Sequence, residues 1–326
     1  MNRLNAAVRM LFWAALACAI GMPAARAQGF PSRPIHLILP YQPGGIVDFA
    51  GRVMAKALTG ILGQPVVAEN KPGAGGIVGV NEVAHGTPDG YTVVLIDPSI
   101  VINQTLHKTM PYDVFKDLVT VSIVCSSPHV LIVSPQLGVK TYAQLVAYGK
   151  ANPGKLNFGS AGVGTTPHLA GVLWTEQTGI TATHVPYKGV GPSFVDLMSG
   201  KIQMEFSSIA GALPFTSKGS VIPLATTGLT RTPVYPDLPT VAEEGLTGFD
   251  VEVWLGLYAT AGTPPAVLAT LNGAVAKALQ EDEVKTAFAK FGIEPRGTSL
   301  AGGAAFTRSE YEKWRKVIVG GHITLD

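Results

Sequence analysis

From residue 35 onward the chain alternates short runs of β-forming residues with longer segments whose apolar positions recur at helical spacing. That alternation is the signature of an α/β fold with largely parallel sheets, because each strand needs a crossover helix to return its successor in the same direction. Ile35–Leu39 reads as a first strand ended by Pro40. The segment from Ile46 to Gly60 then carries apolar residues at 46, 49, 50, 53, 54, 57, 58 and 61, a helix that buries one face. Val66–Ala68, Ile77–Ala84 and Thr92–Ile96 complete a βαβαβ layout. A second series follows. Val130–Val133 is a strand, Thr141 and Gln144 form a capping box for a helix ending near Ala151, and Leu156–Phe158 is a short strand. The next helix opens with Thr166 as N-cap and Pro167 at its first position and stops at Gly179. Pro192–Ser199 is helical, and Ile202–Phe206 and Ile222–Thr226 are strands. Three helices close the chain: Thr263-Pro264 to Gln280, Glu283 to Phe291, and Phe306 to Val319. Two α/β units are predicted, with the terminal helices packing back on the first.

With 326 residues, 47% of them hydrophobic and 14% charged, the sequence has ample material for a core and does not read as disordered. Lys plus Arg numbers 24 against 22 acids, without a basic run, so no nucleic-acid partner is expected. The small positive excess sits at the N-terminus. Arg3 and Arg9 precede the apolar run Met10–Met22, and Ala25-Arg26-Ala27 forms an A-x-A cleavage site, as in a secretory signal peptide covering residues 1–27. Cys18, after Ala15-Leu16-Ala17, offers lipidation as a second reading. Cleavage after Ala27 removes three arginines and no acid, turning the formal charge from +2 to −1. It also leaves Cys125 as the one cysteine, so the mature chain has no internal disulfide and no C-x-x-C pair. In the run Val121–Cys125 that residue reads as a small buried hydrophobe.

Two Gly-rich segments occupy strand-to-helix junctions, where ligands bind in open α/β sheets: Tyr41-Gln-Pro-Gly44-Gly45-Ile-Val-Asp48 and Gly159-Ser160-Ala161-Gly162-Val163-Gly164-Thr165-Thr166. At each, the first helical turn leaves backbone N–H groups unpaired, and glycine lets an anionic oxygen approach them. Singly, each suits a tight turn with an N-cap; together in different units they suggest a clamp for a carboxylate without Arg or Lys. Asp48 fits two roles equally, facing a ligand ammonium or hydroxyl, or favouring the amides of its own helix start. Enzyme signatures fail. Gly159-Ser160-Ala161-Gly162 lacks the leading Gly-x of a nucleophile elbow, Gly73-Ala-Gly75-Gly76 lacks the third glycine of a dinucleotide fingerprint, and no Walker-type Gly-Lys-Ser/Thr occurs. The seven histidines include no i, i+4 pair, so neither a metal nor a cofactor is expected. His168, Trp174, Tyr187, Trp254 and Trp314 read first as packing residues.

The ordered motifs Pro40-Tyr-Gln-Pro-Gly-Gly-Ile-Val-Asp48, Gly63-Gln-Pro-Val-Val-Ala-Glu-Asn-Lys-Pro-Gly-Ala-Gly-Gly76, Thr87-Pro-Asp-Gly-Tyr91, Asn152-Pro-Gly-Lys-Leu156, His184-Val-Pro-Tyr-Lys-Gly189, Asp237-Leu-Pro-Thr-Val-Ala-Glu243 and Ala261-Gly-Thr-Pro264 run through the mature chain. In these the chain resembles the extracytoplasmic solute receptors of tripartite tricarboxylate transporters, the Bug family of periplasmic binding proteins. The resemblance implies a two-lobed, type II Venus-flytrap fold with two crossovers, near Ser127 and near Phe249. Lobe 1 is then 28–127 plus 249–326, and lobe 2 is 128–248. It implies a ligand carboxylate gripped by loops matching Gly44-Gly45 and Ser160 to Thr166, including Ala161, Gly164 and Thr165, with Tyr41, Asp48, Ser99, Tyr187 and Ser208 at or near the cleft. Thr165 stands where many relatives have Ser, and Glu205-Phe206-Ser207 where they often carry Asp. The implied function is capture of a small organic acid, a di- or tricarboxylate or an aromatic carboxylate, by a periplasmic monomer that delivers it to a membrane permease. A sensor receptor signalling through a membrane partner is the alternative, and an exported hydrolase or lyase a weaker one.

Overall fold

The computed structural model describes residues 29–187 and 189–325, so the segment expected to be a signal peptide, Cys18 and Lys188 lie outside the described residues. The chain divides into a short unit, Met1–Ser32, and a unit Arg33–Asp326 that carries all the elements below. Among the described residues no helix is long and apolar enough to cross a membrane.

The expected βαβαβ series is present as β1 (Ile35–Leu39), α1 (Ile46–Leu62), β2 (Val66–Asn70), α2 (Ile77–Ala84) and β3 (Thr92–Ile96), with β1 central and parallel to both neighbours. β1 is apolar at nearly every position because both of its faces are covered, and Leu37, Ile38 and Leu39 are buried. α1 buries Ala50, Met54, Ala57 and Leu58 of the predicted stripe, but its buried face is turned to include Val47, Gly51 and Ala55 and leaves Ile46, Phe49, Val53 and Ile61 half-buried. Gly51 lets it lie close on the sheet, since a Cβ there would stand 2.4 Å from Leu39 Cδ2. Gly63 ends α1 in the left-handed region at φ 67°, its N–H donating to Thr59 O.

After α3 (Ser99–Leu106), a 16-residue strand β4 (Leu118–Val133) leads to α4 (Tyr142–Ala151). A second parallel set follows: β5 (Leu156–Ser160), α5 (Thr166–Thr178), β6 (Ala182–Pro186), α6 (Val190–Met198), β7 (Met204–Ser208), α7 (Ile209–Thr216) and β8 (Ile222–Thr226). β5 lies parallel to β6 and β7. The chain closes with β9 (Glu252–Thr260), α8 (Pro265–Ala278), α9 (Asp282–Ala289), β10 (Glu294–Pro295) and α10 (Leu300–Gly320). α8 and α9 pack on α1, and α10 packs on β4, α3 and α5.

β4 ties the two parallel sets into one sheet, in the order β2-β1-β3-β9-β4-β7-β5-β6 with β8 and β10 also paired to β4. Its first part, Leu118 to Pro128, runs antiparallel to β9. Its last part, from His129, runs antiparallel to β7 and, from Val130, to β8. The sheets are therefore less parallel than the alternation suggests: each parallel trio is bordered by antiparallel strands. Pro128 sits where β4 changes partners, opposite Glu252 at the end of β9. There a missing N–H costs little, and the next residue's N–H goes to a side chain, Thr227 Oγ1, at 2.8 Å. Thr227 in turn takes the Val251 N–H on its carbonyl oxygen at 3.0 Å, joining the two segments that pass between the halves. One cap is shifted from expectation. The N-cap of α5 is Thr165, with Thr166 and Pro167 as the first helical residues.

Candidate functional site

The two Gly-rich loops open onto neighbouring cavities that share Ile46 and Ser208. The first, about 600 Å³, is bounded by Tyr41, Asp97, Ser99 and Asn103 on one side and Val163 to Pro167 on the other, with His129 and Val253 of β4 and β9 also in its wall. The second, about 610 Å³, is bounded by Gly44, Gly45, Asp48, Phe49 and Arg52, by Ser127 of β4, by Ala210 and Gly211, and by Phe291 and Ile293.

In α1 the first intrahelical hydrogen bond runs from Phe49 N to Gly45 O at 2.9 Å, so the amides of Ile46, Val47 and Asp48 have no acceptor within the helix. Gly44 (φ +101°) makes the turn that exposes them, and a Cβ on Gly44 or Gly45 would meet nothing within 4 Å. Asp48 is committed locally. Its Oδ2 accepts from Gly44 N at 3.1 Å, and its Oδ1 accepts from Arg52 Nε at 3.0 Å and Asn70 Nδ2 at 2.9 Å. The Arg52 hydrogen bond, only partly opposed by burial, holds its carboxyl below the usual range. Asn70 also donates to Tyr41 O at 3.0 Å, so the whole loop is braced from β2.

In α5 the first intrahelical bond runs from Leu169 N to Thr165 O at 3.0 Å, leaving Thr166 and His168 amides without a helical acceptor; Pro167 has no N–H. Gly164 (φ +80°) is forced: a Cβ there would stand 2.3 Å from Leu106 Cδ1 at the end of α3. Its N–H donates to His168 Nδ1 at 3.0 Å, which requires that nitrogen to be unprotonated. His168 stacks on His184 at 3.8 Å between ring centroids. Burial, then the neighbouring His184, pushes the His168 pKa down to about 3. Burial alone takes His184 to about 4. The loop is thus backed by two neutral rings rather than by imidazolium. His129 is a third. Its Nε2 is hydrogen-bonded to Thr166 Oγ1 at 3.1 Å, and burial pushes its pKa down to about 4.

Of the residues proposed from sequence, Tyr41, Ser99, Gly164, Thr165, Thr166 and Ser208 border the first cavity, and Gly44, Gly45, Asp48 and again Ser208 the second. Ser160, Ala161 and Tyr187 border neither. Ser160 is fully buried, its hydroxyl hydrogen-bonded to His184 Nε2 at 2.7 Å and to the Gly162 backbone, so it shapes the loop from behind. A serine out of reach of solvent does not serve as a nucleophile. Tyr187 turns its hydroxyl to Asp196 Oδ2 at 2.9 Å. Sequence reasoning missed Asp97, Asn103 and His129. Asp97 Oδ1 accepts from Tyr41 Oη at 2.8 Å and from Ser99 N at 3.0 Å, while Asn103 Nδ2 reaches across to Gly75 O at 3.1 Å. The X-Pro-Ser run at Asp97-Pro98-Ser99 is an Asx-turn signal that would have flagged the first of these.

Known proteins of the same design exist. The family described as tripartite tricarboxylate transporter family receptor matches residues 50–321. Protein BugT of Bordetella pertussis is 35% identical over 90% of this chain and 90% of its own length. A Rhodopseudomonas palustris protein solved with adipate is 32% identical, with a TM-score of 0.79 over 89% of this chain and 97% of that one. MatC of the same organism, solved with bound malate, is 30% identical, with a TM-score of 0.75 over 89% of this chain and 100% of that one.

Proposed function

Because the chain belongs to the tripartite tricarboxylate transporter receptor family, extracytoplasmic solute-binding proteins that serve a membrane permease, we propose that it captures a small organic acid between two lobes and hands it to that permease. The lobes in this reading are 28–127 plus 249–326 and 128–248, closing about the strands β4 and β9 where they pass between the halves. Residues 1–27 would direct export and be removed after Ala27.

The observation that carries the reading is that two helix starts with unpaired amides, at Gly45–Asp48 and Thr165–His168, open onto adjoining cavities that share Ile46 and Ser208. No Lys or Arg is among the described residues bordering the first cavity. An acid there is held by amide dipoles and by the hydroxyls of Thr166 and Ser208, because Tyr41 and Thr165 already give their protons to Asp97 and to Gly162 O and Ser99 pairs with Tyr41; such a site fits carboxylates of varied shape. The relatives solved with adipate and malate support the same class of ligand.

A thermal-shift screen of carboxylic acids tests it, since a ligand at 100 times its Kd adds about 2.7 kcal/mol. Gly45→Val supplies the control. Gly45 lies at φ −86° with open space around its Cβ position, so valine fits the backbone and projects toward the bare amides. Wild type should be stabilised by at least one acid and Gly45→Val by none. Flat melting curves for wild type across mono-, di- and tricarboxylates would overturn the proposal.

A further inference from the structure

The second cavity differs from the first in chemistry. Beyond the Gly44-Gly45 rim its wall carries Phe49, Val53, Ala210, Phe291 and Ile293 as its apolar side chains, with Asp48, Arg52, Ser127 and Ser208 as its polar ones. Phe291 is 40% exposed although it stands edge-on to Phe49, with ring centroids 4.4 Å apart at 61°. Its position is fixed rather than loose. Gly292 turns at φ +64°, and a Cβ there would come within 3.0 Å of Ile209 Cγ2, so the turn lies tightly against α7 and presents Phe291 and Ile293 as neighbouring parts of one wall. A half-exposed aromatic held in place at a cleft is apolar surface kept available for contact. Arg52, the one cation on this wall among the described residues, is turned to Asp48 and Asn70.

Resting on the proposed function, we infer that this basin is the subsite for the apolar body of the ligand, and that the protein selects organic acids carrying about six to eight carbons of aromatic or aliphatic bulk over short polar ones. The acid group lies at the boundary marked by Ile46 and Ser208, and the apolar body extends toward Phe49 and Phe291. Space is sufficient: a cavity of roughly 150 Å³ already accepts benzene, and this basin offers about 610 Å³. An acid such as malate has nothing to place there and leaves the aromatic wall wet.

Isothermal titration of benzoate, octanoate and malate against the wild type, Phe291→Ala and Ala210→Phe tests the inference. The first variant removes wall from a half-exposed side chain and the second fills the basin from α7, so the two act by opposite means. Wild type should bind benzoate or octanoate at least tenfold more tightly than malate, a difference of the size one hydrophobic contact gives. Both variants should weaken that acid about tenfold and leave malate within twofold. The preferred acid of the two states whether the basin takes a ring or a chain. Malate binding as well as both apolar acids, or variants that leave the ratio unchanged, would overturn the inference while sparing the proposed function. Binding of no acid by the wild type would overturn both.

Discussion

Glu205 gives the most direct test of the energetics. It lies on β7 opposite Ile132 of β4 and Gly159 of β5, fully buried. Burial pushes its pKa up to about 7 from 4.5, a rise that a hydrogen bond from Ser193 only partly offsets. Because the folded protein binds this proton more tightly than the unfolded chain, its contribution is fully present below pH 4.5 and is lost as pH rises through 7. At about 1.4 kcal/mol per pKa unit, the ionised carboxylate costs the folded state roughly 3 kcal/mol at pH 8. Glu205→Gln keeps the shape and removes the charge, so it should stabilise the protein at pH 8 by about that amount and by almost nothing at pH 4.5. Thermal melts of both proteins from pH 4.5 to 8 read the difference, expected to be about 5 °C or more at the alkaline end. His129, His168 and His184 titrate in the opposite sense, their folded pKa values being depressed to about 4, 3 and 4. Asp250, raised to about 6 mainly by burial, titrates in the same sense as Glu205. These contributions are common to both proteins and cancel in the comparison. Parallel melting curves at every pH would refute the reasoning, because they would mean that Glu205 reaches water in the folded state.

Asp48→Asn should weaken every acid by a similar factor, because the side chain braces Gly44, Arg52 and Asn70; titration with malate and a plain dicarboxylate reads it, and a loss confined to hydroxy or amino acids would assign it a ligand contact instead. Glu310→Ala should cost about 2–4 kcal/mol in urea unfolding, since Glu310 accepts from Trp254 Nε1 at 2.7 Å and Trp314 Nε1 at 3.1 Å and its loss leaves two buried indole donors unpaired. Glu310→Gln keeps an acceptor and should lose less. Cys125 is buried with its thiol pKa raised by desolvation, so a thiol reagent should label it only at the rate of unfolding.

The parts of the fold that were legible are those encoded locally. Ile35–Leu39, the 46–58 apolar stripe and Thr92–Ile96 carry their periodicity within a few residues, and Gly179 marks a helix end by its left-handed backbone, whereas the first helix runs past the expected Gly60 to a cap at Gly63. The strands between the halves were not legible as such. β4 runs through Ser126-Ser127-Pro128, a turn-like composition that survives as strand only because partners change there, and β9 was missed altogether although its pairing with β3 and β4 buries Trp254, Leu257 and Tyr258. α3 and α7 are eight residues each, and α7 contains Pro214, so neither presents a stripe long enough to read. The same division holds for the cleft. Gly-rich loops announce themselves in sequence, whereas His129 owes its place to the β4–β7 register that sets it opposite Ser208.

Neutral capture has a consequence for selectivity. The mature sequence carries a formal charge of −1 if residues 1–27 are removed, and the histidines packed at the α5 start are kept uncharged. Long-range attraction therefore adds little to the approach of an anion, and the helix-start amides treat one carboxylate much like another. Discrimination among acids must then come from what surrounds the carboxylate. In the first cavity that surrounding is Asp97, already held by Tyr41 and Ser99, which disfavours a second anionic group placed beside it. In the second it is the Phe49–Phe291 wall. On the inferred reading both features would act in the same direction, against short polyanions and toward acids with one charged end and an apolar body, so that specificity would be set by the groups that do not bind the charge.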